Sequence, residues 1–298
     1  MNTPDNFQKL LTKLESNWQG LPDKPDENPS STLCALWKFV THNDTSPIDN
    51  PMQLPGLNPE SDQLLNDLVD QRISGTPLAY IIGHQTYMGL DFLASPEAMI
   101  PRKETELLGQ TALEMANQLV RERGSLQALD LCTGSGNVVL ALAHYVKELQ
   151  AAAVDISKDA VGLAERNAIH LGVEKRVTFF TGDFFDPFNR PEHEQSFDLI
   201  TCNPPYIATA NTGKMAAEIS QFEPREAFDG GAFGVNLIIR LIREAPRFLK
   251  PASWLIFEVG LGQGNSLRRM LEKTSKYQKI ESRTGETGQI RVLIAQAH

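Results

Sequence analysis

From residue 126 onward, short apolar runs alternate with amphipathic stretches at the spacing of a layered α/β sheet. Leu126 to Cys132 (LQALDLC), Gln150 to Val154, Val177 to Thr181 and Phe197 to Cys202 (FDLITC) are apolar enough to be buried strands. The intervening segments, from Val138 and from Lys158, read as helices packed on the sheet. The same alternation continues with a helix from about Val235 to Leu249, a strand from Trp254 to Val259 and a helix from about Gln263 to Thr274. Two final runs, Tyr277 to Arg283 and Gln289 to Ala295, flank Thr284-Gly285-Glu286-Thr287-Gly288 and predict an antiparallel closing pair. The pattern predicts an α/β fold with a doubly wound sheet.

Upstream the pattern changes. Gly83 to Phe92 (GHQTYMGLDF) reads as strand, Met-Gly turn, strand, and a helix should begin near Glu104 and run to about Val120. Leu21 to Ser31 and Asn43 to Pro59 are interrupted by prolines and read as loops. Between and after them, Thr32 to Val40 and Glu60 to Ile73 are helix candidates, the latter with Leu64, Leu65, Leu68 and Ile73 on one face. This divides the chain into a small, mainly helical N-terminal domain (1–82), a β-hairpin linker (83–99) and a larger domain (100–298). Two readings fit the first domain equally: a lid or recognition module, or a structural cap.

The most informative motif is Asn203-Pro204-Pro205-Tyr206, at the end of the FDLITC run. Two prolines cannot continue a ladder, so the chain leaves the sheet there, at the carboxyl edge where open α/β sheets bind ligands. An amide or exocyclic amine nitrogen has a delocalised lone pair and must be aligned before it can accept a group. The Asn203 side-chain oxygen and the Pro204 carbonyl can accept its N–H bonds, and Tyr206 offers a flat face. Such a site suits methyl transfer from S-adenosylmethionine (SAM), which is already activated. Read alone, the motif has a lesser alternative, an ordinary Asn-Pro turn after a strand.

The LQALDLC strand runs into Thr133-Gly134-Ser135-Gly136-Asn137. Its two glycines permit a sharp turn with close backbone approach to a ligand. A dinucleotide loop would carry a third glycine where this chain has Val139, which disfavours NAD. Asp155 ends the next strand, where an acid can accept both hydroxyls of a ribose, and Asp183-Phe184 follows the third, where a carboxylate and a ring could meet adenine. The bland alternatives are a helix-terminal charge for Asp155 and a turn carboxylate for Asp183.

Several separately spaced motifs over roughly residues 71 to 298 occur in one order: GTPLAYIIG, IPRKETE, DLCTGSG, VDIS, NPPY, FEPREA and FEVG. In these the chain resembles the protein-(glutamine-N5) methyltransferases that modify translation release factors, a branch of the class I SAM-dependent methyltransferases. The resemblance implies a seven-stranded Rossmann-like sheet and SAM as cofactor. It implies a SAM site at Cys132, Thr133, Gly134, Ser135, Gly136, Asp155, Ile156, Asp183, Phe184 and Asn203. It further implies that Asn203, Pro204, Pro205 and Tyr206 are the catalytic set and hold a glutamine amide, with Arg102 reaching SAM or shaping substrate entry. The chain departs from the family pattern at Cys132, usually glycine, at Lys103, usually proline, and near Phe184, where a bulkier residue is usual. Glu258 and Gln263 belong to the pattern; they could contact substrate or cap the following helix.

Charge narrows the partner. Of a net charge of −9 over 298 residues, the first 70 hold 4 basic and 11 acidic side chains. Such a region repels a phosphate backbone, so a nucleic-acid partner is disfavoured. A protein substrate of the release-factor kind leads; a peptide or small-molecule acceptor, an adenine amine, and a SAM-binding module without catalysis are the alternatives. The three cysteines, Cys34, Cys132 and Cys202, are isolated from one another in sequence, and the six histidines have no ligand spacing, so neither a disulfide framework nor a metal site is expected. With no apolar stretch long enough to span a bilayer, the expected location is the cytoplasm.

Overall fold

A computed structural model describes residues 3–21, 24, 26–42 and 54–298. The chain forms two compact units, the first from residues 1–84 together with 216–222, the second from 85–215 and 223–298.

The first unit is helical: α1 (Thr3–Ser16), α2 (Pro29–Thr41), α3 (Pro59–Ile73), α4 (Leu78–Ile82) and, further along the chain, Ala217–Phe222. Two of the prolines that look like loop markers in the sequence, Pro29 and Pro59, are helix starts. Asn28 and Asn58 accept the backbone N–H groups of Ser31 and Ser61 at 3.0 and 2.7 Å, and Pro29 and Pro59 open α2 and α3 at positions whose N–H would be unpaired anyway. The predicted loop from Asn43 lies outside the described residues as far as 53. Phe7, Leu10 and Leu14 of α1 close on Leu33, Leu36 and Trp37 of α2 and on Leu65, Leu68 and Val69 of α3. The buried face of α3 is therefore set by Leu65, Leu68, Val69 and Arg72. Leu64 is exposed, because it sits about 100° round the helix from Leu65.

The second unit begins with the hairpin β1 (His84–Tyr87) and β2 (Leu90–Leu93), then α5 (Glu106–Arg123). Strand and helix then alternate: β3 (Leu126–Leu131), α6 (Asn137–Tyr145), β4 (Leu149–Asp155), α7 (Lys158–His170), β5 (Val177–Thr181) and β6 (Phe197–Cys202). After α8 (Thr209–Thr212) and the first unit's α9 (Ala217–Phe222) come α10 (Asn236–Phe248), β7 (Leu249–Glu258), α11 (Gly264–Lys273), β8 (Tyr277–Thr284) and β9 (Ile290–Ala297). The seven strands from β3 onward form one sheet in the order β5-β4-β3-β6-β7-β9-β8, parallel from β5 through β7, with β9 antiparallel to both β7 and β8.

Alternation of side chains along each strand divides the core in two. Ala128, Leu199, Ile256 and Ile294 meet α5, α6 and α7, whereas Leu129, Leu131, Ile200, Phe257 and Leu293 meet α10 and α11. The doubly wound sheet expected from the sequence is present, with its antiparallel closing pair. The chain runs outward from β3 through β4 to β5 and then returns to place β6 on the other side of β3. That reversal opens a crevice at the carboxyl ends of β3 and β6, where DLCTGSG and NPPY lie.

Candidate active site

A cavity of about 510 Å3 occupies this crevice. Its floor is the loop after β3. Gly136 starts α6 with φ +82°, and a Cβ there would lie 2.8 Å from Leu140 and 3.2 Å from Ala164, so only glycine lets the loop turn this close to the helix. Asp155 ties the loop down: one carboxylate oxygen accepts the Gly134 N–H at 2.8 Å and the other the Ser157 N–H at 2.9 Å. Burial raises its pKa against these bonds. Its role is not to cap α7, since Ser157 does that through Ala160.

Under the loop sits Asp130, which accepts hydrogen bonds from Thr133 and Thr201, each at 2.6 Å. It is buried, and desolvation outweighs both hydroxyl donors and lifts its pKa to about 6. Beside it β3–β6 pairing sets Leu131 opposite Cys202, which brings the Cys132 thiol to Cys202. Two cysteines isolated in sequence are thus neighbours here. Burial pushes the Cys202 thiol well up, and Cys132 adds to that.

The far wall is Asp183 and Phe184. Arg240 bonds Asp183 at 2.7 Å and places its guanidinium 5.3 Å from the Phe184 ring centre. Phe184 is held at φ +56° and is buried, so its face is fixed.

Asn203 lines the cavity just past the last ladder residue of β6, as does Pro205. The backbone of this loop is held from behind. Gln263 donates to the Tyr206 carbonyl at 3.0 Å and to the Gly234 carbonyl at 3.2 Å, and accepts from Gly260 at 2.9 Å. Gly234 comes so close that a Cβ would stand 2.3 Å from the Tyr206 carbonyl oxygen. Ile207 then bonds to Phe228 and Gly230, stitching the loop to the residues on either side of Asp229, which lines the cavity. Gln263 is neither a helix cap nor a ligand-facing group; it is a strut for the NPPY turn.

The Tyr206 hydroxyl points into a charged cluster. It donates to Glu258 at 3.0 Å and accepts from Arg291 at 3.2 Å. Arg291 pairs with both Glu258 and Glu104 at 3.0 Å, and its guanidinium carbon lies 5.5 Å from the Tyr206 ring centre. Glu104 therefore has a partner beyond any effect on the α5 dipole. Desolvation raises the Glu258 pKa to about 7, against the pull of Arg291.

With this geometry in view, the likeness to known proteins can be read. Residues 122–290 match the family model described as a methyltransferase domain. Over 218 residues the chain is 38% identical to a release factor glutamine methyltransferase of Geobacter sulfurreducens, covering 73% of this chain and 72% of that one. A second, from Moorella thermoacetica, is 35% identical over 227 residues, 76% of this chain and 77% of its own. The chain belongs to the release factor glutamine methyltransferase family. The fold recurs in a methyltransferase of Pyrococcus furiosus (17% identity, TM-score 0.50, 71% of this chain and 90% of that one) and in the human methyltransferase 10 domain containing protein (14%, 0.51, 70% and 88%).

As a member of the release factor glutamine methyltransferase family the chain is a SAM-dependent enzyme, and its cavity suits that cofactor. The Ser135 hydroxyl is buried on the cavity wall with no hydrogen-bond partner, and the lining combines apolar Ile156 and Phe184 with the carboxylates of Asp130 and Asp155. A ligand that is polar at one end, flat at the other and positively charged matches this lining. Cys132, Thr133, Gly134, Ser135, Asp155, Ile156, Asp183, Phe184, Asn203 and Pro205 all line it. Gly136, Pro204 and Tyr206 are outside the lining, each next in sequence to a residue that belongs to it.

Arg102 is placed elsewhere than the cavity lining. It is buried against Glu223, which also accepts the Ile100 N–H at 3.0 Å, so it locks the IPR segment to the FEPR segment. Reading the sequence for site residues passed over Asp130 and the cavity wall from Pro224 to Asp229. Asp130 had left a signal, an acid inside an otherwise apolar strand.

Proposed function

We propose that the chain methylates the side-chain amide nitrogen of a glutamine in a peptide chain release factor. The observation that carries this reading is the position of Asn203, on the lining of the cavity and on a turn held by Gln263 and Gly234. SAM supplies an electrophilic methyl group. The chain supplies alignment: the Asn203 Oδ1 and the Pro204 carbonyl accept the two amide N–H bonds, which orients the nitrogen and localises electron density on it. The Tyr206 ring packs on the planar group, and water takes the proton the nitrogen loses. Arg102 acts as a clamp that keeps the cavity wall in place.

The first unit is the recognition module in this reading. Residues 216–222, ten positions beyond Tyr206, belong to its fold: Glu218 pairs with Lys24 at 2.5 Å and with Arg72 at 2.9 Å. The chain that leaves the acceptor turn passes through the recognition unit before returning to the cavity wall. A release factor as substrate places the enzyme in the cytoplasm, and no helix among the described residues is long and apolar enough to cross a membrane.

The test is incubation with methyl-labelled SAM and a purified release factor from the same source, followed by mass spectrometry of the peptides. A mass gain on one glutamine supports the reading. Label on another residue type, or on none while a small-molecule acceptor is consumed, overturns it.

A further inference from the structure

Arg240 of α10 bonds a different carboxylate with each nitrogen of its guanidinium. Nη1 donates to Asp183 at 2.7 Å, Nη2 to Asp186 at 3.4 Å and Nε to Glu244 at 2.9 Å. The same group stands over Phe184, 5.3 Å from the ring centre. A second contact joins the helix to this turn, since Phe185 stacks on Phe248 with ring centres 4.5 Å apart. Asp183 and Phe184 line the cavity, so two lining residues of different chemistry are held by one arginine. Stability does not explain the arrangement: the four charged side chains are 28% to 64% exposed, where ion pairs contribute little to folding. What a planar, permanently charged fork supplies here is fixed geometry. With Oδ2 of Asp183 engaged by Arg240, Oδ1 is the acceptor left for a ligand.

We propose that Arg240 is a positioning residue that sets the base selectivity of the cofactor site: it orients Asp183 to accept the N6 amine of adenine and holds the Phe184 ring for stacking on the base. The proposal rests on the reading of Asp183 and Phe184 as the adenine side of the cavity. Adenine presents N–H donors at N6, whereas a base with oxygen at that position presents an acceptor. Against a carboxylate fixed in place, the second base leaves two acceptors facing each other, and the site rejects it. Without Arg240 the Asp183 carboxylate, 48% exposed, is free to turn to solvent. Phe184 at the same time loses the cation over its face. Both changes act on the base of the ligand, and the first acts only on a base that donates.

The experiment is calorimetric titration with S-adenosylhomocysteine and with S-inosylhomocysteine, which differ only at the base, for the wild type, Arg240→Met, Arg240→Lys and Asp183→Asn. No acceptor and no turnover enter the measurement. The wild type should prefer the adenosyl ligand about 10- to 100-fold. Arg240→Met should weaken the adenosyl ligand about 5- to 20-fold and leave the inosyl ligand within about threefold, so that the preference shrinks. Its thermal unfolding midpoint should stay within a few degrees of wild type, as expected for exposed ion pairs. Arg240→Lys keeps the charge but not the fork, and its preference should also fall. A wild-type preference in either Arg240 variant, or equal weakening of both ligands, overturns the proposal; the lysine variant decides it if the methionine variant does not fold. Asp183→Asn separates the two readings. If the wild type shows no preference, or Asp183→Asn keeps it, the adenine reading itself is wrong; if Asp183→Asn loses it and the Arg240 variants keep it, only the role of Arg240 falls.

Discussion

Thr201 on β6 donates a hydrogen bond of 2.6 Å to Asp130 on β3, joining the strand that carries the DLCTGSG loop to the strand that runs into Asn203. The bond crosses the switch point of the sheet. It makes the two halves of the site one polar unit inside an apolar layer, and desolvation of Asp130 is its cost.

That cost should be measurable as a pH dependence of stability. The Asp130 pKa is raised from 3.8 to about 6, so between those values the folded chain holds a proton that the unfolded chain has released. Stability contributed by this group is present below about pH 4 and falls by roughly 3 kcal/mol as pH rises to 6. Urea unfolding at pH 4.5 and pH 7.5 should therefore show a smaller loss for Asp130→Asn than for the wild type. Equal losses would mean that Asp130 does not titrate in this window.

Asn203→Ala should cut kcat by about 10²- to 10³-fold, because it removes an acceptor needed for orientation in the transition state. SAM affinity, read by calorimetry, should stay within a few-fold, since the rest of the lining is intact. Equal losses in turnover and affinity would make Asn203 chiefly a cofactor contact.

Gly234→Ala places a methyl group 2.3 Å from the Tyr206 carbonyl oxygen, at a residue with φ +67°. Backbone atoms cannot swing away as a side chain tip can. The acceptor turn must shift, so kcat should fall about 100-fold while global stability drops by roughly 1–3 kcal/mol. Single-turnover kinetics with denaturant unfolding checks both, and a normal rate would show that the turn tolerates displacement.

Arg102→Ala strands Glu223 as a buried, unpaired carboxylate, which costs roughly 3–5 kcal/mol of stability. Thermal unfolding should register the loss, and Arg102→Lys should recover only part of it because lysine cannot make the same fork. A variant as stable as the wild type with weakened SAM binding would instead place Arg102 in direct contact with the cofactor.

The sheet was legible because its central strands are local apolar runs and the turns after β3 and β5 carry residues of special backbone geometry. The cavity lining was legible for the same reason: Thr133 to Ser135, Asp155 and Phe184 follow directly from strand ends. Relationships across the sheet were not. Cys132 meets Cys202 through strand order, and Glu258, Tyr206 and Arg291 come together from three separate segments. Arg102 looked like a ligand contact because a lone arginine beside a binding motif carries no mark of its partner 121 positions away. In the first unit the signal was present but ambiguous. Asn-Pro followed by serine at the third helical position is a helix start, and proline alone concealed it at both α2 and α3.

The excursion of residues 216–222 into the first unit has a consequence for how this enzyme can change over evolutionary time. A domain joined by one linker can be traded by a single recombination event. Here an exchange of residues 1–84 alone would leave Glu218 without Lys24 and Arg72, and the six-residue α9 without the helices it packs among. A replacement for the first unit must arrive in two pieces that match each other. Such a unit changes by point substitution within it, and seldom by wholesale replacement.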